Sequence, residues 1–308
     1  MKLLLIILAS VTGLAIIVEI GLRLTIGLGN PPLYVADREI GYLLAPNQKT
    51  RRFGNTIATN QYSMRSRAIE PKSSDRRRIL LLGDSVVNGS WWTDQSETLD
   101  LLLAGRLQDD SAVETLNASA NSWGPRNELA YLERFGLFDA DILVLIINTD
   151  DLFATQPTSL AVGKSSSYPD RLPALALVEL YQLYIAPPQA IPELERLEPL
   201  LEKRLEQNLA AITKIKAIAQ ASDTKFVLVL TPLLRELKSG STENELAART
   251  AVQELVKTEK IAYIDLLQSW ADFPQPEFLY RDRIHPSPQG NTKLVEAIAE
   301  RIINTRRS

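Results

Sequence analysis

The chain of 308 residues is 45% hydrophobic and 23% charged, with a net charge of −3, which is ordinary for a globular protein that buries a core. Its 34 basic and 37 acidic residues nearly balance, so there is no electrostatic reason to expect a nucleic-acid partner. With no cysteine and a single histidine, His285, the chain excludes disulfides, thiol catalysis and histidine-rich metal centres, and we expect no metal or other cofactor.

Residues 1–29 are predicted to form a membrane anchor. The apolar stretch 3–28 is long enough to cross a bilayer and carries charge only at Glu19 and Arg23. These two residues stand four apart on a helix, so they can pair near the membrane interface. A cleaved signal peptide is the alternative, but no clear Ala-x-Ala site precedes Asn30. We expect an uncleaved single-pass helix, with the rest of the chain on the extracytoplasmic side.

The remainder divides into a leader and an α/β domain. Residues 30–75 are interrupted by proline and glycine and are predicted to wrap the domain, with short strands. Residues 76–308 alternate apolar strands with helices, which predicts a three-layer α/β fold with a parallel sheet between helices. The predicted strands cover residues 78–82, 112–116, 141–147, 225–230 and 262–267, and the predicted helices cover residues 96–107, 127–135, 243–257 and 289–303.

Two local features of this domain are also predicted. Ser96 is a plausible N-cap for the first crossover helix. Residues 152–224 interrupt the alternation with several prolines and then a charged helix from about Glu193 to Gln220. We interpret this stretch as an insertion beside the carboxyl edge of the sheet, either a lid or a surface excursion without a functional part.

A serine follows the first predicted strand directly, in the tripeptide Gly83-Asp84-Ser85. Ligands of open parallel sheets bind outside the carboxyl ends of the strands, so this serine is a candidate nucleophile. The alternative is a simple N-cap on the next helix. Val87 replaces the second glycine of an α/β-hydrolase elbow, and no Rossmann or P-loop glycine pattern is present.

The single histidine lies in the segment Asp282-Arg283-Ile284-His285-Pro286. An Asp-x-x-His spacing places carboxylate and imidazole on one side of a turn. The carboxylate can then hold one ring nitrogen while the other faces a nucleophile. A lone histidine is more often structural, but the aspartate three residues earlier and the serine at a strand end favour a catalytic role.

Together the two motifs resemble the SGNH/GDSL hydrolase family over roughly residues 38–305. Gly83-Asp84-Ser85 matches the family's first block, and Asp282 with His285 matches its last block. The resemblance implies a flavodoxin-like SGNH hydrolase fold, with Ser85 as nucleophile, His285 as base and Asp282 as its orienting partner. The leader segments 37–42 and 60–65 also resemble membrane-anchored members of this family.

The resemblance also implies an oxyanion hole, although the middle blocks depart from the family pattern. In the stretch after the second strand, Ser122 stands where the family has glycine. After the third strand, Asn148-Thr149-Asp150-Asp151 replaces the usual Gly-x-Asn-Asp, so either Asn148 or Asp150 takes the asparagine place. The expected oxyanion residues are therefore Ser85, Ser122, and Asn148 or Asp150, and an ionised Asp150 would oppose catalysis.

The expected substrate is an acyl ester, carried by envelope carbohydrate or by lipid. Trp91, Trp92 and Trp123 are candidates for lining the substrate pocket, although covering the sheet edge is an equally good role for tryptophan here. The alternatives to an esterase are an O-acyltransferase acting on polysaccharide and a non-catalytic envelope module with the same fold.

Overall fold

The centre of the protein is a five-stranded parallel β-sheet. The computed structural model describes residues 1–107, 112–197 and 200–307. The strands in these residues are β1 (Tyr34–Asp37), β2 (Gly41–Leu44), β3 (Lys49–Arg52), β4 (Asn55–Ala58), β5 (Arg77–Gly83), β6 (Val113–Ser119), β7 (Ile142–Asn148), β8 (Lys225–Thr231) and β9 (Ala262–Asp265). The sheet has the order β6-β5-β7-β8-β9, and all its neighbours are parallel. The predicted α/β fold with a parallel sheet is confirmed.

Helices cover both faces of this sheet. The α-helices in the described residues are α1 (Lys2–Gly21), α2 (Ser85–Asn88), α3 (Leu99–Leu107), α4 (Pro125–Phe135), α5 (Ala176–Tyr184), α6 (Pro192–Glu195), α7 (Leu201–Ala221), α8 (Leu234–Ser239), α9 (Glu243–Glu259), α10 (Leu267–Ala271) and α11 (Pro288–Arg307). Successive side chains of β5 point to opposite faces: Leu80 packs in a cluster with α4, α7 and α9, and Leu81 packs with α3, α10 and α11. Burial on both faces explains why the strands are continuous apolar runs.

Two predicted helices begin or end elsewhere. The first crossover helix begins at Leu99, because Asp94 accepts a hydrogen bond from the Ser96 N–H and caps a separate 3-10 turn ahead of it. Ser96 is therefore not the cap of α3. The single helix predicted from Glu193 to Gln220 is also wrong, since α6 and α7 are separate helices. The sequence has Pro199 in the predicted helix, where proline is strongly disfavoured.

The N-terminal helix has no partner along most of its length. Within the described residues it is the one helix, Lys2–Ile26 with its terminal π-helical turn, that is long and apolar enough to cross a membrane. A signal sequence has the same properties, so α1 is a candidate for either. The helix ends at Gly27, whose φ is +83°. A Cβ at Gly27 would lie 1.9 Å from the carbonyl oxygen of Arg51, so glycine lets β3 pack against the helix end.

Two antiparallel hairpins, β1-β2 and β3-β4, connect α1 to the sheet. The following segment is held by Arg65, whose side chain is fully buried. Its guanidinium donates hydrogen bonds to the carbonyl oxygens of Asn88, Ser90 and Thr93. Those oxygens belong to the loop that follows α2. A residue of the leader thereby fixes the loop beside the predicted nucleophile.

We expect Arg65→Met to destabilise the protein strongly, because three buried carbonyl groups would lose a charged donor. A loss of about 3 kcal/mol in the free energy of unfolding is expected from hydrogen bonds of this kind. The measurement is chemical or thermal unfolding of the full chain in detergent micelles. Arg67→Met is the matched control, because Arg67 is exposed. Equal destabilisation by the two substitutions would contradict the role of Arg65.

Candidate active site

The first part of the site forms where β5 ends. The last residue of β5, Gly83, packs so closely that a Cβ there would lie 2.5 Å from the carbonyl oxygen of Ile146. The next residue, Asp84, accepts a hydrogen bond of 2.8 Å from the Val86 N–H and caps α2. Ser85 is consequently the first residue of α2, at the carboxyl edge of the sheet. Asp84 therefore caps the helix, and the half-buried Ser85 next to it lines the adjoining cavity.

The second part is a tight turn that carries His285. It lies between a 3-10 helix (Pro276–Leu279) and α11. The Oδ1 atom of Asp282 accepts hydrogen bonds of 2.9 Å from the backbone N–H groups of Ile284 and His285. Its Oδ2 atom lies 2.8 Å from Nδ1 of His285. Burial acts to raise the pKa of Asp282, but these hydrogen bonds outweigh it and the pKa lies below its ordinary value. The carboxylate is therefore ionised at neutral pH.

The two parts meet at the carboxyl edge of the sheet. His285 Nε2 lies 2.9 Å from Ser85 Oγ. When Nδ1 donates its proton to Asp282, Nε2 presents a lone pair to the serine hydroxyl. Ser85 Oγ also lies 3.1 Å from Oδ2 of Asp84, so two acceptors compete for one hydroxyl hydrogen. The fold thus brings together Ser85, Asp282 and His285, which the sequence predicted as the catalytic residues.

Trp92 packs against the imidazole. The ring centroids of Trp92 and His285 lie 4.7 Å apart, and the guanidinium of Arg281 lies 4.7 Å from the Trp92 centroid. Trp91 contacts Trp92 with its ring and is itself 4.8 Å from the ring of Phe53 in the leader. The histidine is therefore held by an aromatic side chain as well as by its aspartate.

Ser122 has a backbone conformation that glycine adopts without strain. It lies in the turn after β6 with a φ of +59°, in the left-handed region that glycine occupies without strain. Among the described residues none accepts a hydrogen bond from its N–H. Its hydroxyl accepts a hydrogen bond of 2.9 Å from Tyr168. The N–H of Ser122 is therefore available as a backbone hydrogen-bond donor in this turn.

Asn148 and Asp150 are the two candidates for the family's asparagine position. The carboxamide of Asn148 is partly engaged, and Asp150 has none. Asn148 is buried, and its side-chain nitrogen donates a hydrogen bond of 3.1 Å to Asp84, which leaves at most one amide hydrogen for a ligand. Asp150 is exposed on the cavity wall. Partial desolvation and the charge of Glu245 raise its pKa, and the charge of Arg283 opposes that rise. The carboxylate of Asp150 is therefore influenced by the charges of both Glu245 and Arg283.

Three buried acids lie behind the serine. Burial raises the pKa values of Asp84, Asp151 and Glu128. For Asp151 and Glu128 the negative charge of Asp84 raises the pKa further. Asp151 accepts a hydrogen bond of 2.7 Å from the Asn148 N–H, whereas the carboxyl oxygens of Glu128 have no hydrogen-bond partner among the described residues. Burial therefore disfavours the charged forms of Glu128 and Asp151 and limits the negative charge next to Ser85. No group of acids in the described part of the chain is arranged to hold a metal ion.

A cavity of about 870 Å³ opens beside the serine and the histidine. Trp91 and Trp92 line it, and Trp123, which is 1% exposed, forms part of its floor and donates its indole N–H to the Tyr42 carbonyl. The cavity is large enough for a substrate much bigger than an acetyl ester.

Several cavity residues were not found by sequence reasoning. Tyr34, Tyr42 and Tyr168 stack edge to face with centroid distances of 5.0 to 6.0 Å. Two of them belong to the leader and the third to the predicted insertion. No periodicity connects such distant segments, so only the fold could reveal this cluster. Arg281 had a weak signal, since it directly precedes Asp282.

The chain is similar, at low sequence identity, to several proteins of known structure. Among solved structures, a lipase/acylhydrolase from Enterococcus faecalis is 16% identical over 73% of this chain and 95% of its own, with a TM-score of 0.45. An acetyl-xylooligosaccharide esterase from Geobacillus is 14% identical over 76% and 96%, with a TM-score of 0.49. No curated protein sequence matches the chain. A profile of the GDSL-like Lipase/Acylhydrolase family matches residues 81–293, more than half of the chain, and the protein therefore belongs to that family of SGNH/GDSL hydrolases.

Proposed function

We propose that this protein is a membrane-anchored serine esterase that removes acyl groups from ester-linked substrates. The observation that carries the proposal is the continuous contact from Asp282 through His285 to Ser85, with distances of 2.8 Å and 2.9 Å. A serine hydroxyl is a weak nucleophile unless a base takes its proton, and this arrangement supplies the base and its orienting carboxylate. Family membership supports the same reaction class.

The reaction follows from the placement of these groups. Nε2 of His285 takes the Ser85 proton as Oγ attacks the ester carbonyl. The imidazolium then protonates the leaving alcohol, and the ionised Asp282 stabilises its charge. Water attacks the acyl-enzyme in the second half, again with His285 as base, and releases the acid. No metal or cofactor enters any step.

The developing oxyanion is bound by backbone donors. The N–H of Ser85 is at the first position of α2 and therefore has no acceptor within its own helix. The N–H of Ser122, presented by its left-handed turn, is the second donor. Asn148 contributes at most one amide hydrogen, and the Asp150 carboxylate opposes negative charge in the same cavity.

We propose that α1 remains uncleaved and spans the membrane, with the catalytic domain on its extracytoplasmic side. The apolar length of the helix supports the span. The contacts of Glu19 also support retention, because its carboxylate accepts hydrogen bonds from the N–H groups of Ala176 and Leu177 at the start of α5. The substrate would be an acylated carbohydrate or lipid of the cell envelope, and the size of the cavity fits such a molecule.

Labelling with a fluorophosphonate probe tests the nucleophile. We expect the full chain in micelles to be labelled, and Ser85→Ala and His285→Ala to abolish labelling and to lower ester hydrolysis by at least about 10⁴-fold. Ser90→Ala is the matched control, because Ser90 lines the same cavity and its hydroxyl only accepts a hydrogen bond from Asn121. Labelling that survives both of the first two substitutions would overturn the assignment, and no labelling of the wild type would favour the non-catalytic module.

Asp150→Asn is expected to increase activity. Removing a unit charge from the cavity wall, in an effective dielectric of about 20, is expected to lower the barrier by on the order of 1.4 kcal/mol, or roughly tenfold in kcat/KM. Because the pKa of Asp150 is raised, the carboxylate is neutral over a wider acidic range, and the gain should grow as pH rises through that pKa. Asp223→Asn, an exposed change at the opposite edge of the sheet, is the control. A gain that is equal at acidic and alkaline pH would contradict the electrostatic explanation.

Trp92→Ala should lower kcat by about ten- to a hundredfold, because the imidazole loses the ring that restricts its orientation. Trp91→Ala removes a cavity tryptophan that lies behind Trp92 and should act mainly on KM. Steady-state kinetics with a soluble p-nitrophenyl ester separates the two effects. A loss of kcat of the same size in both variants would show that Trp92 has no special role in positioning His285.

A further inference from the structure

The helix α5 exposes an apolar face to solvent. Leu175, Val178, Tyr181, Tyr184 and Ile185 are between 39% and 69% exposed. Their spacing of three and four residues places them on one side of the helix. An apolar stripe that follows a helix and faces outward is typical of a surface that is covered by a partner or by lipid.

The charge distribution distinguishes this face from an ordinary water-facing helix. Between residues 172 and 185 the sequence has one charged residue, Glu179. Glu179 is buried on the inner side of α5, where it pairs with Arg52 and accepts a hydrogen bond from the Gly29 N–H. The outer side is therefore apolar apart from the tyrosine hydroxyls and the amide of Gln182. Tyrosine, which has an apolar ring and a polar hydroxyl, prefers the boundary between water and hydrocarbon.

The same helix is joined to the end of α1. The Glu19 carboxylate accepts hydrogen bonds of 2.8 Å and 3.0 Å from the N–H groups of Ala176 and Leu177. Arg23, which pairs with Glu19, also donates to the carbonyl oxygen of Ala174. These contacts hold α5 at the point where the apolar helix meets the folded domain. A membrane crossed by α1 would therefore have its surface at the level of α5.

The structure points to α5 as an interfacial helix, and we infer that its outer face lies in the surface of the membrane that α1 crosses. The inference rests on the membrane span in the proposed function. It has a consequence for the active site, because Leu183 and Tyr184 at the end of α5 also line the cavity that contains Ser85. The cavity is thereby held next to the bilayer, so that an ester carried by a membrane lipid can reach it without leaving the interface.

Site-directed fluorescence on the full chain tests this placement, and the absence of cysteine makes each label unique. Val178→Cys and Tyr181→Cys are labelled with NBD and reconstituted in phosphatidylcholine vesicles, with and without doxyl-labelled phosphatidylcholine. Leu8→Cys in α1 is the membrane reference. Leu246→Cys is the matched aqueous control, because Leu246 is 55% exposed and lies on α9. We expect blue-shifted emission and strong doxyl quenching at positions 178 and 181, comparable to position 8, and neither effect at position 246.

Three other results would overturn the inference in distinguishable ways. Lipid quenching at position 8 with water-like emission at 178 and 181 would leave the membrane span intact and refute the interfacial helix alone. A blue shift at 178 and 181 without doxyl quenching would show that protein, such as a second copy of the chain, covers this face. Water-like emission at position 8 would refute the membrane span and the interfacial helix together. None of these measurements depends on esterase activity.

Discussion

The hydrogen bond between His285 and Ser85 is the contact on which the site depends, and it joins residues that are 200 positions apart. It can form only because parallel strands end at one edge of the sheet, where β5 delivers the serine and the turn before α11 delivers the histidine. The sheet is buried on both faces by apolar side chains, so this edge is rigid. The short turn around Asp282 then determines the direction of the imidazole.

Electrostatics around this contact are unusual for a site that would bind an oxyanion. Asp84, Asp151 and Glu128 lie behind the serine, and burial raises the pKa of each of them. Burial disfavours the charged form of each of these acids, which opposes a build-up of negative charge beside Ser85. Asp150 is different, because it is exposed at the cavity wall and can ionise more readily. The backbone donors at Ser85 and Ser122 therefore bear most of the proposed oxyanion stabilisation.

Two arginines of the leader contact segments that form the wall of the active-site cavity. Arg52 in β3 pairs with Glu179 of α5, and Arg65 binds the loop that carries the two cavity tryptophans. These are buried or nearly buried ionic and charged hydrogen bonds, which are strongly destabilising when one partner is removed. The segment nearest the proposed membrane thus reaches the wall of the cavity through two arginines.

The sequence by itself determined the parallel sheet, the positions of its apolar strands along the chain and the two motifs at its edge, because apolar periodicity and strand-end positions are local properties. It also identified the pairing of Glu19 with Arg23, a contact within one helix turn. It did not determine the orientation of Asn148, the left-handed conformation of Ser122 or the tyrosine cluster in the cavity. Those features arise from contacts between segments far apart in the chain, and only tertiary packing decides which way such side chains and turns face.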